Sequence, residues 1–352
     1  MLPLGIALLA LLVSLFFHSP RLWVFQQAMP GSTYWDRGLQ FMTQCDTPLG
    51  QPLSDAALTW RVAPALLAKA LGLHGKAALI VPWLGLLVML TLCARLMLHR
   101  TGDRLLATLT VMLVATTNAT LTVTGWLGLN DAWYVSALLA VAFLPGWWAV
   151  ALASLVGPWI DERFLFALPL ALYVRSRALG AGWKQMHSLF AVGLGLGFYV
   201  AARFLNLLQL PTAGTAGLLQ YSVRHFHEWL PWTGLGWFMG LRAAWVPVVV
   251  AIGGGCERKD LPAAWWPAAL ALSPLCLITL LASDTGRAPA MLLPLVLLGT
   301  ERLLAMRGQA DTRRFVGWLL AANLLMPAMH VTYQSGDLIN MLPVEIGRLL
   351  IR

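Results

Sequence analysis

Long runs of apolar residues, separated by short polar segments, follow one another along most of the chain. A helix needs about 20 apolar residues to cross the hydrocarbon core of a bilayer, and fewer when neighbouring helices cover its ends. By that measure the pattern predicts eleven passes, with the N-terminus in the cytosol and the C-terminus outside. The predicted passes are residues 2–18, 78–98, 105–127, 132–145, 147–158, 163–175, 188–207, 233–252, 262–282, 289–304 and 315–330. The fold class expected is all-α, a single polytopic transmembrane domain over residues 1–352 in which residues 2–18 are a retained first helix.

The three short passes between residues 132 and 175 decide the topology. The rival interpretation joins residues 132–156 into one helix kinked at Pro145. With three passes, 12 of the 24 Lys and Arg residues fall on one side in four short loops, which is the distribution expected of the cytosol. They are Arg95, Arg100, Arg104, Arg175, Arg177, Lys184, Arg258, Lys259, Arg302, Arg307, Arg313 and Arg314. Three short passes are therefore favoured.

Two longer segments are predicted on the opposite, periplasmic side. Residues 19–76 form the first external loop, because they are too polar for lipid. The second half of that loop, Ser54 to Leu73, has the pattern of an amphipathic helix lying on the membrane surface. Residues 208–232 form a second notable external loop.

The composition agrees with a membrane protein and excludes other classes. Hydrophobic residues make up 59% of the chain and charged residues 11%, against about 25% charged in a soluble domain. The net charge of +9 sits in clusters between apolar runs, so it indicates topology rather than a nucleic-acid partner. The four cysteines imply no disulfide framework, because only Cys45 is predicted outside the membrane on the periplasmic side.

Acids, arginines and histidines gather in the predicted external loops. Polar groups at that depth are costly unless they pair or line a watery cavity, so the pattern predicts a cleft that faces the periplasm. The candidates are Asp36, Arg37, Arg61, Asp131, Asp161, Glu162, Arg163, His225, His227, Glu228, Asp284 and Arg287.

Each candidate also has a structural explanation. Asp36 would be a solvated acid in an extended loop, and Asp131 would cap the helix that follows it. Arg287 would only pair with Asp284, and Arg163 only with its neighbouring acids. The His225, His227 and Glu228 group favours an interfacial loop over a metal site.

Four segments in the middle of the chain form a recognisable series: Leu-Asn-Asp-Ala-Trp at 129–133, Pro-Gly-Trp-Trp at 145–148, Gly-Pro-Trp at 157–159 and the Leu/Pro-rich helix from Phe164 to Arg177. The series resembles the middle of the GT-C superfamily of membrane glycosyltransferases. Trp-Arg-Val-Ala-Pro-Ala-Leu-Leu-Ala-Lys at 60–69 and Ser-Asp-Thr-Gly-Arg at 283–287, with Pro294 beyond, are similar to motifs of an uncharacterised bacterial branch. The resemblance runs from about residue 30 to 300.

The resemblance implies an inverting glycosyltransferase of the bacterial inner membrane that takes sugar from a polyprenyl-phosphate or polyprenyl-diphosphate donor. Asp36 matches the family's catalytic base in the first external loop, and Asp131 matches its second acid. Arg287 and Arg163, with Arg61 and Arg37 behind them, would stabilise the departing lipid phosphate. The first loop lacks the doubled acid pair of the family, so a divalent metal such as Mg²⁺ or Mn²⁺ is left open, and no cofactor is certain. The large C-terminal soluble domain seen in some relatives is also missing from the pattern.

Three alternatives stay open. A transporter or flippase would show an internal repeat, paired broken helices and polar residues at mid-bilayer, where Asn118 and Arg242 are the clear examples. An O-antigen-type ligase or polymerase would favour a large late periplasmic loop. A GT-C-shaped scaffold without activity is the third. The sugar, the acceptor and the oligomeric state cannot be deduced from the sequence.

Overall fold

The apolar runs fold into helices in the computed structural model, which describes residues 1–20, 33–50, 56–180, 183–208, 213–254, 261–281, 284–332 and 335–351. The helices in the first half are α1 (Leu2–Phe17), α2 (Thr33–Asp46), α3 (Ala56–Thr59), α4 (Val62–Ala70), α5 (Ile80–Thr101), α6 (Arg104–Ala115), α7 (Asn118–Gly125), α8 (Asp131–Phe143), α9 (Trp147–Ile160) and α10 (Arg163–Leu179). The second half contains α11 (Trp183–Phe204), α12 (Ala213–Leu241), α13 (Trp245–Gly253), α14 (Leu261–Leu281), α15 (Leu293–Arg307), α16 (Gln309–Leu325) and α17 (Leu342–Ile351). Short 3₁₀ helices cover Gly75–Leu79, Arg242–Ala244 and Ala288–Leu292. One antiparallel hairpin, β1 (Ala328–Thr332) and β2 (Ser335–Ile339), precedes α17.

Several helices are long and apolar enough to cross a bilayer. In the described part of the chain four qualify, over Gly75–Thr101, His187–Phe204, Val223–Gly253 and Ala288–Arg307. A fifth span is possible if α6 and α7, which are bent by 53° at their junction, act as one. The expectation of an α-helical membrane protein is confirmed at this level. Eleven passes, several of which depend on shorter apolar helices, stay a prediction.

One end of the bundle is held by ion pairs between the predicted cytosolic loops. Gly102, in the left-handed conformation with φ of 64°, ends α5, and Asp103 caps α6 by accepting from the backbone amides of Leu105 and Leu106. The Asp103 carboxylate also accepts two bonds from Arg313 of α16, at 2.6 and 3.0 Å. The same acid therefore both begins α6 and fastens α16 to it.

The hydrophobic core lies among the packed helices of the bundle. Buried side chains of α5, α6, α8, α10 and α15 form one continuous apolar cluster. Helices α13 and α15 approach closely at Gly299, where any Cβ would overlap the Pro247 carbonyl. The close contact fixes α15, whose start positions the loop that contains Arg287.

The bilayer-length pattern at 105–127 breaks into α6 and α7 at Thr116 and Thr117, and α12 breaks from α13 at Arg242. The buried Arg242 guanidinium lies 3.1 Å from His18 Nε2 and donates to the carbonyls of Thr116 and Asn323. Since carbonyls at helix C-termini carry partial negative charge, they stabilise this cation. The Arg242 side chain therefore stabilises both helix breaks.

Two predictions about the first external loop are wrong. Asp36 does not lie in an extended loop, because the backbone is helical over Thr33–Asp46 and the helix buries Phe41, Met42 and Cys45 at helical spacing. The single surface helix at Ser54–Leu73 is divided into α3 and α4, although residues 51–55 lie outside the described part. Pro64 is the third residue of α4, where the missing backbone N–H of proline costs no intrahelical hydrogen bond.

Two later predictions are also corrected. The loop at 208–232 is helical from Ala213 onward, and His225 and Glu228 pair along that helix. The pass at 315–330 ends at Leu325. Pro327 cannot continue a helix and forces the preceding residue into extended backbone, so the chain enters β1 instead.

Candidate functional site

Asp131 and Arg287 form the centre of a buried charge cluster. Asp131 is the first residue of α8, and Arg287 ends the loop before the Ala288–Leu292 helix. Arg287 Nε lies 2.6 Å from Asp131 Oδ2, and Arg287 Nη2 lies 2.6 Å from Asp131 Oδ1. Their side chains are 1% and 5% exposed, so the pair is shielded from solvent. Two parallel N–H···O bonds of this kind fix the plane of the guanidinium.

Two further residues extend this pair. Arg163, at the start of α10, places Nη1 3.3 Å from Asp131 Oδ1. Asp284 Oδ2 accepts from Arg287 Nη1 at 2.8 Å. Asp131 therefore faces two guanidinium groups and Arg287 faces two carboxylates.

A second group of charges lies at the junction of α9 and α10. Arg61, which precedes α4, lies 3.0 Å from Asp161 and 3.2 Å from Glu162. Arg203 of α11 donates to Glu162 at 2.9 Å and to the Tyr199 hydroxyl at 2.6 Å. The Asp161 carboxylate also accepts from the backbone amide of Arg163, which connects this group to the first. Together the two groups contain four carboxylates that pair with four guanidinium groups.

A small polar cavity joins the two groups. The charged residues that line it are Arg61, Asp161, Arg287 and, on α2, Arg37. Gln44 and Asn130 add neutral polar groups. The free volume is about 10 Å³, room for about one water molecule.

A large apolar groove lies next to this cavity. Its volume is about 760 Å³, and it is bounded by α4, α9 and α11. Val62, directly after Arg61, lines the groove together with apolar side chains such as Leu152, Leu155 and Phe198. Trp159 also lines the groove and packs edge-on against Tyr199, with ring centroids 4.9 Å apart.

The electrostatics of the charged loops keep them ionised. Burial alone would raise the pKa of Asp161, but Arg61 and Arg163 outweigh it and lower that pKa below its usual range. Burial lowers the pKa of Arg287, but Asp131 and Asp284 raise it well above its ordinary value. A guanidinium held in this way stays charged at any physiological pH, as an anion-binding group must.

Most of the predicted site residues lie close together in the structure. Asp131, Asp161, Glu162, Arg163, Asp284 and Arg287 join Arg61 in the ion-pair network, and Arg37 lines the cavity. The side chain of Asp36, the predicted base, lies outside the described residues. The backbone of Asp36 adjoins Arg37 on α2.

The histidines on α12 are separate. His225 Nδ1 contacts Glu228 Oε1 at 2.7 Å, and neither these two nor the exposed His227 are among the residues that line the cavity. In the described part of the chain, no group of three His, Cys, Asp or Glu side chains is arranged to hold a metal ion. Metal dependence stays open.

Sequence reasoning missed Arg203 and His330. Arg203 falls near the outer end of the predicted pass 188–207, and His330 ends the predicted pass 315–330. His330 is in fact buried in β1, with Nε2 3.5 Å from Asp284 Oδ1. Both are polar residues at the same predicted end of a pass as the acids. That shared position is the signal that could have found them.

Searches with the sequence and the structure identify no relative: no known protein family, curated protein or solved structure matches this chain.

Proposed function

We propose that this protein is a membrane glycosyltransferase that moves a sugar from a polyprenyl-phosphate or polyprenyl-diphosphate carrier to an acceptor hydroxyl. The observation that carries the proposal is the contact between a polar and an apolar site. Arg61 belongs to the ion-pair network and lines its cavity, and the next residue, Val62, lines an apolar groove of about 760 Å³. A lipid-linked phosphate needs both surfaces side by side.

The groove suits the hydrocarbon part of such a donor. Its lining is almost entirely aliphatic and aromatic, and hydrocarbon buried there would be stabilised by about 25 cal/mol per Å² of apolar surface removed from water. Arg61 and Arg203, whose chain neighbours Val62 and Ala202 line the groove, would hold the phosphate, while Arg287 lines the same cavity as Arg61.

The chemistry requires a base and cationic groups. The acceptor oxygen attacks the anomeric carbon and loses its proton to a carboxylate, while the bond from that carbon to the phosphate oxygen breaks. The electron pair leaves with the lipid phosphate, whose charge the guanidinium groups stabilise. Asp36 is our candidate for the base. Asp131 is a poor one because both its oxygens are bound to arginines, so we assign it the positioning of Arg287 and Arg163.

The proposed orientation places the site on the periplasmic face of the bacterial inner membrane. Asp131 begins α8, whereas Arg175, in a predicted cytosolic loop, donates to Leu144 just beyond the other end of α8. The site and the basic loops are therefore at opposite ends of the same helix. The bilayer and the lipid-linked donor are the partners we propose.

Lipids that copurify with the protein test this proposal. The protein is extracted in a mild detergent and its bound lipids are identified by mass spectrometry, beside an Arg61→Ala variant and an Arg104→Ala control in the loop at the opposite end. We expect polyprenyl phosphates in the wild type and the control and their loss in Arg61→Ala. Equal retention in all three, or only bulk phospholipid in the wild type, would contradict the proposal.

A transporter is the second candidate, and one observation favours it. Helices α6 and α7, which are bent by 53° at their junction, meet the 3₁₀ segment between α12 and α13 where Arg242 contacts Thr116. Broken helices mark the sites of many transporters. Arg242, however, occupies the place between the helix ends where a substrate ion would sit. Reconstitution separates the two candidates, since a flippase moves a labelled polyprenyl phosphate across vesicles without transferring sugar.

A further inference from the structure

The hairpin of β1 and β2 runs alongside the loop that contains Asp284 and Arg287. The backbone amide of Gly286 donates to the Val331 carbonyl at 2.9 Å. The Asn118 side chain donates to the carbonyls of both Gly286 and Met329, at 3.0 and 3.1 Å. A Cβ at position 286 would come within 2.8 Å of the Val331 amide, so the close approach of loop and strand requires glycine. These bonds hold β1 in a fixed register against the loop.

His330 is the residue of β1 that this register directs at the site. Its Nε2 lies 3.5 Å from Asp284 Oδ1, and its ring packs on Trp126 with centroids 4.4 Å apart. Asp337 stands directly opposite on β2. The His330 ring is only 3% exposed, so its direction is set by packing rather than by solvent.

The two oxygens of Asp284 have different partners. Oδ1 faces His330, while Oδ2 accepts from Arg287 Nη1 at 2.8 Å. Oδ1 accepts no hydrogen bond from the described residues, so its 3.5 Å contact with the buried imidazole is one of packing and charge. The direction of Asp284, and with it the Nη1 edge of Arg287, therefore depends on the side chain at 330.

Arg287 keeps donors for a ligand. Its contacts with Asp131 and Asp284 use three of the five N–H bonds of a guanidinium. The two remaining N–H bonds, one on Nη1 and one on Nη2, can donate to an oxyanion. Asp131 fixes the plane of the guanidinium group. Asp284 accepts from Nη1, one of the two nitrogens that would donate to the oxyanion.

We infer that His330 is a positioning residue: through Asp284, it orients Arg287 to bind the phosphate of the lipid-linked substrate. The inference rests on the proposed function and assigns the C-terminal hairpin a role in substrate binding. It also explains why the hairpin is bonded to the backbone of the Asp284 loop.

Two amide substitutions separate this role from simple packing. The side-chain nitrogen of His330→Gln falls at the position of Nε2, which faces Asp284, whereas that of His330→Asn falls at the position of Nδ1. Binding of farnesyl phosphate to the purified full chain in detergent is measured by calorimetry, with farnesol as the uncharged control. We expect His330→Asn to weaken binding about tenfold and His330→Gln to stay within about threefold of wild type, because only Gln places a polar nitrogen beside Asp284. Equal losses in both variants, or no loss in either, would overturn the inference.

A ligand-free measurement keeps the two proposals distinguishable. If the wild type does not bind farnesyl phosphate, the proposed function fails, and the inference fails with it as a statement about substrate. The positional part is then tested by thermal unfolding of His330→Asn, His330→Gln and Asp284→Asn, alone and combined. We expect the Tm losses of His330→Asn and Asp284→Asn to be less than additive, and His330→Gln to keep the wild-type Tm at a pH above about 6.5. Additive losses would overturn the link between the two residues.

Discussion

Asp131 and Arg287 are 156 positions apart in the chain, yet they form a buried ion pair with two N···O distances of 2.6 Å. The pair joins the start of α8 to the loop before α15. Because neither side chain reaches solvent, the loss of one partner leaves an uncompensated charge inside the protein. The pair is therefore both a structural link and the fixed part of the site.

Breaking this pair should be costly, while the conservative change at Arg287 should separate stability from binding. We expect Asp131→Asn to destabilise the protein by about 3–5 kcal/mol, as for other buried pairs that lose one member. Arg287→Lys keeps the charge but loses the two-bonded geometry, so it should fold and bind farnesyl phosphate more weakly than wild type. Arg287→Ala should lose more than Arg287→Lys.

Thermal unfolding and binding in detergent check these expectations. Arg314→Ala is the control, since Arg314 is exposed and pairs only loosely with Asp311 at 3.9 Å. Equal binding by Arg287→Lys and Arg287→Ala would argue against a two-bonded contact with phosphate.

Asp36→Asn should abolish sugar transfer from a polyprenyl-phosphate sugar while the protein still folds. The amide cannot accept the acceptor's proton, but it leaves the size of the side chain unchanged. Asp46→Asn, at the other end of α2 and exposed, is the matched control and should keep full activity. Activity is followed by release of the polyprenyl phosphate. An active Asp36→Asn enzyme would remove Asp36 from the mechanism.

Filling the apolar groove should prevent the donor from binding. Ala151 lines the groove, so Ala151→Phe places a ring where the hydrocarbon tail would lie. Leu8→Phe, on the exposed face of α1, adds an aromatic side chain at a position outside the groove. We expect the first variant alone to lose copurified polyprenyl phosphate, as measured by mass spectrometry. Retention of the lipid by Ala151→Phe would show that the tail lies elsewhere.

The helical class and much of the charge network could be predicted because both depend on local patterns. Apolar runs specify helices in any membrane protein, and acids at helix ends mark the polar side. Asp131, Arg163 and Arg287 were found in this way, and their convergence agrees with the pattern.

Contacts made by the tertiary structure could not be predicted. The apolar stripe of residues 315–330 continues through Pro327, so hydropathy alone extends the helix over His330. The position of His330 beside Asp284 depends on the hydrogen bond between β1 and Gly286. This contact cannot be predicted from the local sequence. Arg203 similarly has the pattern of a residue at the end of a pass, and only the structure shows its ion pair with Glu162.

The topology can be tested at exposed positions of the structure. Asp161 is buried in an ion pair, so a cysteine there would disturb the site that it reports on. Leu338 on β2 and Met306 near the end of α15 are both exposed and lie at opposite predicted sides. In a background without the native cysteines, we expect Leu338→Cys to react with an impermeant maleimide on intact cells and Met306→Cys only after lysis. The reverse pattern would place the site in the cytosol.

Stability should fall on acidification through His330. Burial lowers the pKa of His330, and Arg287 adds to this, while Asp284, Asp337 and Asp131 oppose it only in part. A histidine whose pKa is lower in the folded protein than in the unfolded chain stabilises the fold above about pH 6.5, and this contribution is lost as the pH falls.

Protonation of Asp284 also lowers the stability of the folded protein, but over a lower pH range than protonation of His330. Burial raises its pKa and His330 and Arg287 lower it further than burial raises it, so its contribution is lost only below about pH 4. Between pH 6.5 and 5, His330→Gln should therefore flatten the decline of Tm, whereas substitution of the exposed His227 by Gln should leave it unchanged. If His330→Gln and the wild type lose Tm in parallel over that interval, folding does not lower the pKa of His330, and the prediction is wrong.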